Sequence, residues 1–253
     1  MVRFVAKSGY QGLEIAPFTI ADTVTEISQS KRQELKSIAM DAGIELVGLH
    51  WLLVKPEGLH INHPDPICRQ QTVDYLKHLI DFCADLGGNR MVFGSPNQRK
   101  ILPELTYERG RQLAIESFIA CSEVAMERGV VICLEALPDN QTNFMTNNEE
   151  VLSVVKEINH PNIRMMLDVK SMCSEAISIP QNILNCQGFF HHIHANDSNL
   201  KGPGFGQVDF RPILDTLQKL DYQEYVSVEV FDFTPDPETI TIECLRYMKD
   251  CLK

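Results

Sequence analysis

The sequence predicts a (β/α)8 barrel of the TIM type, formed by one domain that spans residues 1–253. Three observations lead to this prediction. Short runs rich in Val, Ile, Leu, Met and Phe alternate with amphipathic stretches, which is the pattern of parallel βα units. No low-complexity segment, composition shift or long linker divides the chain. Its 253 residues, 44% of them hydrophobic, are enough for one core of this kind.

Seven apolar runs predict strands that are buried on both faces, because they show little polar alternation. In chain order they are residues 12–18, 44–51, 90–96, 130–137, 163–169, 189–195 and 225–231. A closed barrel of this type needs eight strands. The chain starts inside what reads as the first helix, so we predict that the first strand is missing or truncated at the N-terminus. An open doubly wound sheet is the alternative, but seven regular units without a topological break favour the barrel.

Helices are predicted between the strands from apolar positions at helical spacing and from the glycines that follow them. Residues 3–8 read as the last turns of a helix closed by Gly9, and residues 24–42 as a helix closed by Gly43. The other predicted helices are residues 67–86, 106–128, 146–158, 180–186, 209–220 and 236–252.

The formal net charge of −11 makes this an acidic chain, and it contains no basic runs. Neutralising phosphates requires clustered Lys and Arg, so the charge argues against a nucleic-acid partner. It argues against binding to an anionic membrane surface for the same reason. We therefore expect a small molecule as the binding partner.

The eight cysteines form no CxxC pair, and Cys83, Cys121, Cys133 and Cys244 fall within apolar, periodic segments. This usage indicates reduced, buried thiols in a cytoplasmic protein. The start MVRFVAKSGYQ reads as neither a signal peptide nor a targeting helix. No apolar run approaches the ~20 residues that a membrane span needs.

Side chains able to bind a metal end the last four predicted strands: Glu135, Asp168, His194 and Glu229. Active sites of such barrels lie at the C-terminal ends of the strands, so these four should converge on one divalent ion. Three carboxylates and one imidazole suit a hard or borderline cation. We expect Mn²⁺, with Mg²⁺, Co²⁺ and Zn²⁺ as alternatives. Four protein ligands leave positions in an octahedral shell for oxygens of a substrate.

Other polar residues lie near the predicted strand ends. Glu14, His50 and Ser95 are expected to contact the substrate at the same face of the barrel. His191 and His192 precede His194 in an apolar strand, where a histidine is more often a satisfied core residue than a ligand.

Two of the predicted ligands, Glu135 and Glu229, lie on strands far apart around the barrel and could face a substrate from opposite sides. One could remove a proton beside a carbonyl while the other returns a proton. Return to the opposite face gives epimerisation, whereas return to the neighbouring carbon gives ketose–aldose isomerisation. The residues also leave a metal-dependent hydrolase open, which would use a metal-bound water and a leaving-group acid.

Six segments carry a family resemblance that covers nearly the whole chain from Gly9 onward. They are GYQGLEIAPF (9–18), LEAL with Glu135, MMLDV with Asp168, HIHANDSN with His194, GPGFG (202–206) and SVEVFDF with Glu229. In these segments the chain resembles the sugar isomerase/epimerase group of the xylose-isomerase-like TIM barrels, including the ketose 3-epimerases. The resemblance implies a small carbohydrate substrate and a catalytic acid/base pair of Glu135 and Glu229.

Three positions depart from the pattern of the ketose 3-epimerases. This chain has Ser171, Leu200 and Gln141 where that group has a His, an Arg and an acidic residue that contact the substrate. The resemblance therefore carries the metal chemistry but not ketohexose specificity, and Gln141 becomes a candidate substrate contact. Lys170 and Lys201, with the GPGFG backbone, could hold a carboxylate or a phosphate instead.

Two alternatives remain from the sequence. HANDS (194–198) also resembles a strand of endonuclease IV, a DNA-repair enzyme with three zinc ions, but the further histidines of that enzyme are missing here. An inactive metal-binding relic would bind metal weakly and unfold at low temperature. We expect a metal-dependent isomerase or epimerase that acts on a sugar or a sugar-like ketone, and a homodimer or homotetramer if the chain self-associates.

Overall fold

The structure, a computed structural model, describes residues 1–253 and has the architecture of the TIM-barrel class. Seven parallel strands form one sheet in chain order, so each inner strand pairs with its neighbours in the sequence. The strands are β1 (Gly12–Ile15), β2 (Glu45–Leu49), β3 (Arg90–Phe93), β4 (Val131–Glu135), β5 (Ile163–Asp168), β6 (Phe190–Ala195) and β7 (Val226–Val228). This confirms the seven predicted strands, with β1 and β7 as the edges of the sheet.

Nine α-helices alternate with the strands. They are α1 (Val2–Ser8), α2 (Gln29–Ala42), α3 (Pro66–Leu86), α4 (Tyr107–Arg128), α5 (Asn148–Ile158), α6 (Val169–Met172), α7 (Ile179–Asn185), α8 (Arg211–Lys219) and α9 (Pro237–Cys251). Gly9 and Gly43 close α1 and α2 in the left-handed conformation, with φ of 99° and 74°. None of the helices is long and apolar enough to cross a membrane.

Local contacts explain where the elements differ from the prediction. β1 ends early because Pro17 starts a 3-10 turn. The predicted helix over 24–42 is a separate 3-10 turn, Val24–Glu26, followed by α2, which Ser28 caps by accepting a hydrogen bond from the Lys31 N–H. The short helix α6 was not predicted, and it begins because the Asp168 carboxylate accepts the Ser171 N–H.

β7 is only three residues long, whereas the sequence predicts a strand through Phe231. The Glu229 N–H still donates to the Ala195 carbonyl, as in a parallel pair. The Phe231 and Asp232 N–H groups instead donate to the Leu200 carbonyl. The chain after β7 is therefore tied to the loop that follows β6.

The barrel interior is partly apolar and partly polar. Val92, Cys133 and Met166 form a small buried cluster separate from the larger core that lies between sheet and helices. Arg90 on β3 and His192 on β6 are also buried, which costs free energy unless such groups are paired. All eight cysteines are free, and the four that the sequence placed in apolar segments are buried.

Candidate metal centre and active site

Strand alternation places the four predicted ligands at one end of the barrel. Glu135 and Asp168 are the last residues of β4 and β5, and His194 pairs with Asp168 in the register of β5 and β6. Ligand atoms of Glu135, Asp168 and His194 all lie within 4.8 Å of one another. Glu229 follows β7, and its Oε2 lies 3.3 Å from His194 Nδ1. The structure therefore brings all four side chains to one place.

The hydrogen bonds of His194 leave one ring nitrogen free for a metal. Its Nε2 lies 3.1 Å from Glu14 Oε2, whereas its buried Nδ1 makes no hydrogen bond and faces Glu229 Oε2 at 3.3 Å. A carboxylate that accepts from one imidazole nitrogen fixes the tautomer and makes the other nitrogen a better ligand. Glu14 is thus placed to orient His194, and its contact with a substrate stays a prediction.

Glu14 also binds His192, which the sequence left as a core residue. His192 Nε2 lies 2.7 Å from Glu14 Oε1, and its Nδ1 lies 3.4 Å from an Arg90 guanidinium nitrogen. Arg90 in turn donates to Glu224 at 3.0 Å. A chain of polar contacts therefore links the metal-binding end of the barrel to Arg90 at the start of β3.

A second group, formed by Glu14, His192 and His194, could also hold a metal by distance alone. Both Glu14 oxygens are already paired with the histidines, and the Arg90 guanidinium beside His192 would repel a cation. The group of Glu135, Asp168 and His194 instead has an unpartnered nitrogen and excess negative charge. Of the two groups, Glu135, Asp168 and His194 therefore fit a metal ion better, and Glu229 lies beside them.

The carboxylates of this centre repel one another in a buried place. Burial and the charges of Asp168 and Glu229 raise the pKa of Glu135 to about 8. Burial and Glu229 also raise the pKa of Asp168. Burial opposes ionisation of Glu229, but His194 and His50 outweigh it and hold its pKa far below the usual value. Carboxylates that resist ionisation together are compensated by a divalent cation, so the donor set fits a metal ion.

Asn196, Arg99 and Gly94 support the centre and were not singled out from the sequence as site residues. The Asn196 amide donates to Asp168 Oδ2 at 2.6 Å and to Glu229 Oε2 at 3.1 Å. Arg99 is fully buried and donates to the Glu135 carbonyl oxygen. A Cβ on Gly94 would lie 1.6 Å from Glu135 Oε2, so only glycine leaves room for that carboxylate.

The remaining predicted substrate contacts occupy different surroundings. His50 Nδ1 lies 3.6 Å from Glu229 Oε1, so His50 belongs to the site. Ser95 is buried and its hydroxyl accepts the Leu53 N–H, and its contact with a substrate stays a prediction. Gln141 is half-buried in the turn after β4.

The two candidate lysines for an anionic substrate group are engaged by neighbouring residues. Lys170 Nζ lies 4.8 Å from the centre of the Phe231 ring, at cation–π distance. Lys201 Nζ lies 3.9 Å from Asp232 Oδ2. These contacts weaken the case for a carboxylate or phosphate site on the two lysines.

The raised pKa of Glu135 predicts that the stability of the metal-free protein falls as the pH rises from about 4.3 to about 8. Folded Glu135 stays protonated up to a pKa of about 8, whereas an unfolded Glu has a pKa near 4.3. The unfolded chain binds fewer protons in this window, so the free energy of unfolding decreases with pH. His194, whose pKa is raised by Glu229 and Glu14 against the effect of burial, acts in the same direction.

Thermal denaturation of chelator-treated protein across this range measures the effect. Glu135→Gln should make the pH dependence shallower, because it removes the group that titrates. A slope that is the same in this variant and in the unchanged protein would contradict the assignment.

Glu14→Gln should lower metal affinity by about 10- to 100-fold, the usual effect of losing a carboxylate behind a metal-binding histidine. A Gln amide can accept from only one imidazole and presents its NH₂ to the other. Titration calorimetry with Mn²⁺ measures the affinity without relying on turnover. The matched control is Glu34→Gln, on the exposed surface of α2. Equal Mn²⁺ affinities in all three proteins would rule out the orienting role of Glu14.

Comparison with known proteins finds relatives over nearly the whole chain. The sequence profile described as "Xylose isomerase-like TIM barrel" matches residues 2–251. A D-psicose 3-epimerase of Ruminiclostridium cellulolyticum is 29% identical over 233 residues, covering 90% of this chain and 76% of that protein. A 3-dehydro-D-guloside 4-epimerase of Escherichia coli K12 is 21% identical, covering 98% of this chain and 93% of its own length.

A solved structure gives the same picture of the fold. The crystal structure of D-psicose 3-epimerase from Clostridium cellulolyticum H10 with D-tagatose superposes with a TM-score of 0.81 and 25% identity. It covers 98% of this chain and 84% of the solved chain. The whole barrel, and not one segment of it, is therefore shared.

Proposed function

Because the chain belongs to the family of xylose isomerase-like TIM barrels, we propose that it is a metal-dependent epimerase or isomerase of a sugar or sugar-like ketone. The observation that carries the proposal is the meeting of Glu135 and Glu229 at one buried centre beside the unpartnered Nδ1 of His194. Glu135, Asp168, His194 and Glu229 would hold the ion, for which Mn²⁺ is our first choice. A divalent ion held there would polarise a substrate carbonyl and acidify the neighbouring C–H bond.

The two glutamates have different surroundings, which suits opposite roles in proton transfer. Glu229 lies beside His50 and His194, and these stabilise its carboxylate. Glu135 faces other carboxylates, and these favour its protonated form. We infer that one of the two glutamates removes a proton from the carbon next to the carbonyl and that the other returns one from the opposite face. The roles exchange in the reverse direction.

Buried amide and imidazole groups would hold these carboxylates in position. Asn196 donates to both Asp168 and Glu229, so it sets the orientation of two carboxylates at once. His50 lies against the second oxygen of Glu229. Such contacts keep each carboxylate within reach of one face of the substrate, as general acid–base catalysis requires.

The relatives favour epimerisation over ketose–aldose isomerisation. The two curated relatives described above are both named as epimerases, one acting at carbon 3 of a free ketose and one at carbon 4 of a keto-glycoside. They differ in the carbon that changes and in the size of the substrate. Their shared reaction is inversion of a carbon next to a carbonyl, which two opposed glutamates can perform.

Purified protein with Mn²⁺ should be incubated with a panel of ketoses and keto-glycosides, and the products separated by chromatography. The proposal expects a new epimer from at least one member of the panel. Abasic-site DNA is the control substrate. Cleavage of that DNA without epimerisation of any sugar would replace the proposal with a nuclease.

A further inference from the structure

Three aromatic rings lie exposed together at the C-terminal end of the barrel; we call Phe18, Trp51 and Phe231 the aromatic rim. Their exposed fractions are 39%, 42% and 36%. The Trp51 ring centre lies 6.3 Å from that of Phe18 and 6.3 Å from that of Phe231. The rim residues follow β1, β2 and β7, so three separate loops bring them together.

Specific contacts hold Phe231 in the rim. The Phe231 N–H donates to the Leu200 carbonyl, which fixes the backbone of its loop. The Lys170 ammonium lies 4.8 Å from the centre of the Phe231 ring and stabilises it by a cation–π contact. Leu200 and Lys170 follow β6 and β5, so the support for the rim also comes from the loops at this end of the barrel. The ring is therefore positioned by its neighbours and does not depend on burial.

The aromatic rim is continuous with the proposed active site. Phe231 lies two residues after Glu229, a separation that spans at most about 7 Å of chain. Trp51 is the neighbour of His50, whose Nδ1 lies 3.6 Å from Glu229 Oε1. A sugar ring at the metal centre would thus have the rim at its side, toward solvent.

Exposing these rings to water is unfavourable in free energy, and a bound ligand would remove part of that exposure. Contiguous exposed apolar surface is unfavourable in water and commonly marks a binding site. Trp51 also has a φ of 54°, a left-handed conformation that is rare for a bulky side chain. Strained backbone of this kind concentrates at ligand-binding positions. Both features point to a ligand that covers these rings.

We propose that the aromatic rim binds a second ring of the substrate, which makes the substrate a keto-glycoside rather than a free ketose. This inference rests on the proposed function, because it places the first ring at the metal centre. A glycoside has no free carbonyl at its anomeric carbon, so the ketone must be an oxidised ring carbon. Inversion beside that ketone removes one proton and returns one, so it needs no further reactant.

Trp51 is the only tryptophan of the chain, so its fluorescence reports on the aromatic rim alone. Metal-loaded protein, excited at a wavelength that the ligands do not absorb, should be titrated with D-glucose, D-fructose, methyl β-D-glucopyranoside and phenyl β-D-glucopyranoside. Phenyl glucoside should shift the emission and bind about 10-fold more tightly than methyl glucoside, as expected for one aromatic stacking contact. Equal affinity for the methyl and phenyl probes would overturn the proposal. Trp51 emission that shifts with protein concentration but with none of the probes would overturn it as well.

Substitutions in the aromatic rim test ring binding separately from the proposed reaction. Phe231→Ala should remove most of the preference for the phenyl probe in the titration. With 3-keto forms of the two glucosides as substrates, Trp51→Ala should raise KM for the phenyl substrate about 10-fold more than for the methyl one. The matched control is Ile119→Ala, which removes an exposed apolar side chain from α4 and should change neither preference.

The two proposals can fail separately. If no keto-sugar is turned over but phenyl glucoside still shifts Trp51 emission, the proposed reaction fails and the aromatic rim remains a ring-binding site. If free ketoses are turned over as efficiently as the keto-glucosides, and Trp51→Ala affects both alike, the rim proposal fails and the reaction stands.

Discussion

Replacing either Glu135 or Glu229 with glutamine should lower turnover by at least about 10³-fold while the fold stays intact. Each glutamate would both hold the metal and move a proton, and loss of a general acid or base alone commonly costs about 10²–10⁴-fold. Glutamine keeps the size of the side chain but cannot accept a proton. Because burial among other carboxylates disfavours the charge of Glu135, the metal-free Glu135→Gln protein should be at least as stable as the unchanged one.

Turnover is measured on the best substrate of the panel, and folding is checked by circular dichroism and thermal denaturation. Glu149→Gln makes the same chemical change at an exposed position of α5 and serves as the control. It should leave turnover unchanged. If Glu135→Gln or Glu229→Gln keeps more than about a tenth of the activity, that residue does not carry a proton in the reaction.

Removal of the metal should abolish turnover, and added Mn²⁺ or Co²⁺ should restore it. His194→Ala should weaken Mn²⁺ binding by more than the 10- to 100-fold expected of Glu14→Gln, since it removes a ligand and not only the group that orients it. Titration calorimetry measures this loss of Mn²⁺ affinity and does not depend on activity. Binding should also release protons, because the raised pKa values of His194 and Glu135 keep both protonated in the metal-free protein.

The control for the histidine variant is His78→Ala, on the exposed surface of α3, which should bind Mn²⁺ as the unchanged protein does. Proton release is detected by repeating the titration in buffers with different heats of ionisation. Full activity after exhaustive chelation, or unchanged Mn²⁺ affinity in His194→Ala, would exclude the metal centre at this position.

The meeting of Glu135, Asp168, His194 and Glu229 at one end of the barrel could be predicted because the rule behind it is local. Each of Glu135, Asp168 and Glu229 follows an apolar run, and the ends of parallel strands meet at one face of a barrel. The same rule could have identified His192 and Asn196, since side chains two residues apart on a strand point to the same side. His192, His194 and Asn196 share that spacing and all three contact the centre or its support.

The role of Glu14 could not be predicted, because it depends on contacts across the sheet. Its partner His192 is 178 residues away in the sequence, and nothing in the local pattern distinguishes an orienting carboxylate from a substrate contact. The aromatic rim was missed for the same reason. Phe18, Trp51 and Phe231 lie in three loops, and only the folded structure shows that they lie together.

The short length of β7 could not be predicted from the sequence either. The run from Tyr225 to Phe231 is apolar enough to predict a full strand, yet pairing ends near Glu229. Beyond that point the backbone donates hydrogen bonds to the Leu200 carbonyl instead of to the sheet, and these hold Phe231 in the aromatic rim. Such competition between two backbone partners leaves no trace in hydrophobic periodicity.

Solvent exchange follows the proton that the two glutamates are proposed to move. The Mn²⁺-loaded protein is incubated in D₂O with the panel of ketoses and keto-glycosides, and each sugar is analysed by NMR after the metal is removed. We expect deuterium at a single carbon next to the carbonyl, together with inversion at that carbon. Epimerisation without any incorporation of deuterium, or incorporation that persists in the Glu135→Gln/Glu229→Gln double variant, would contradict this expectation.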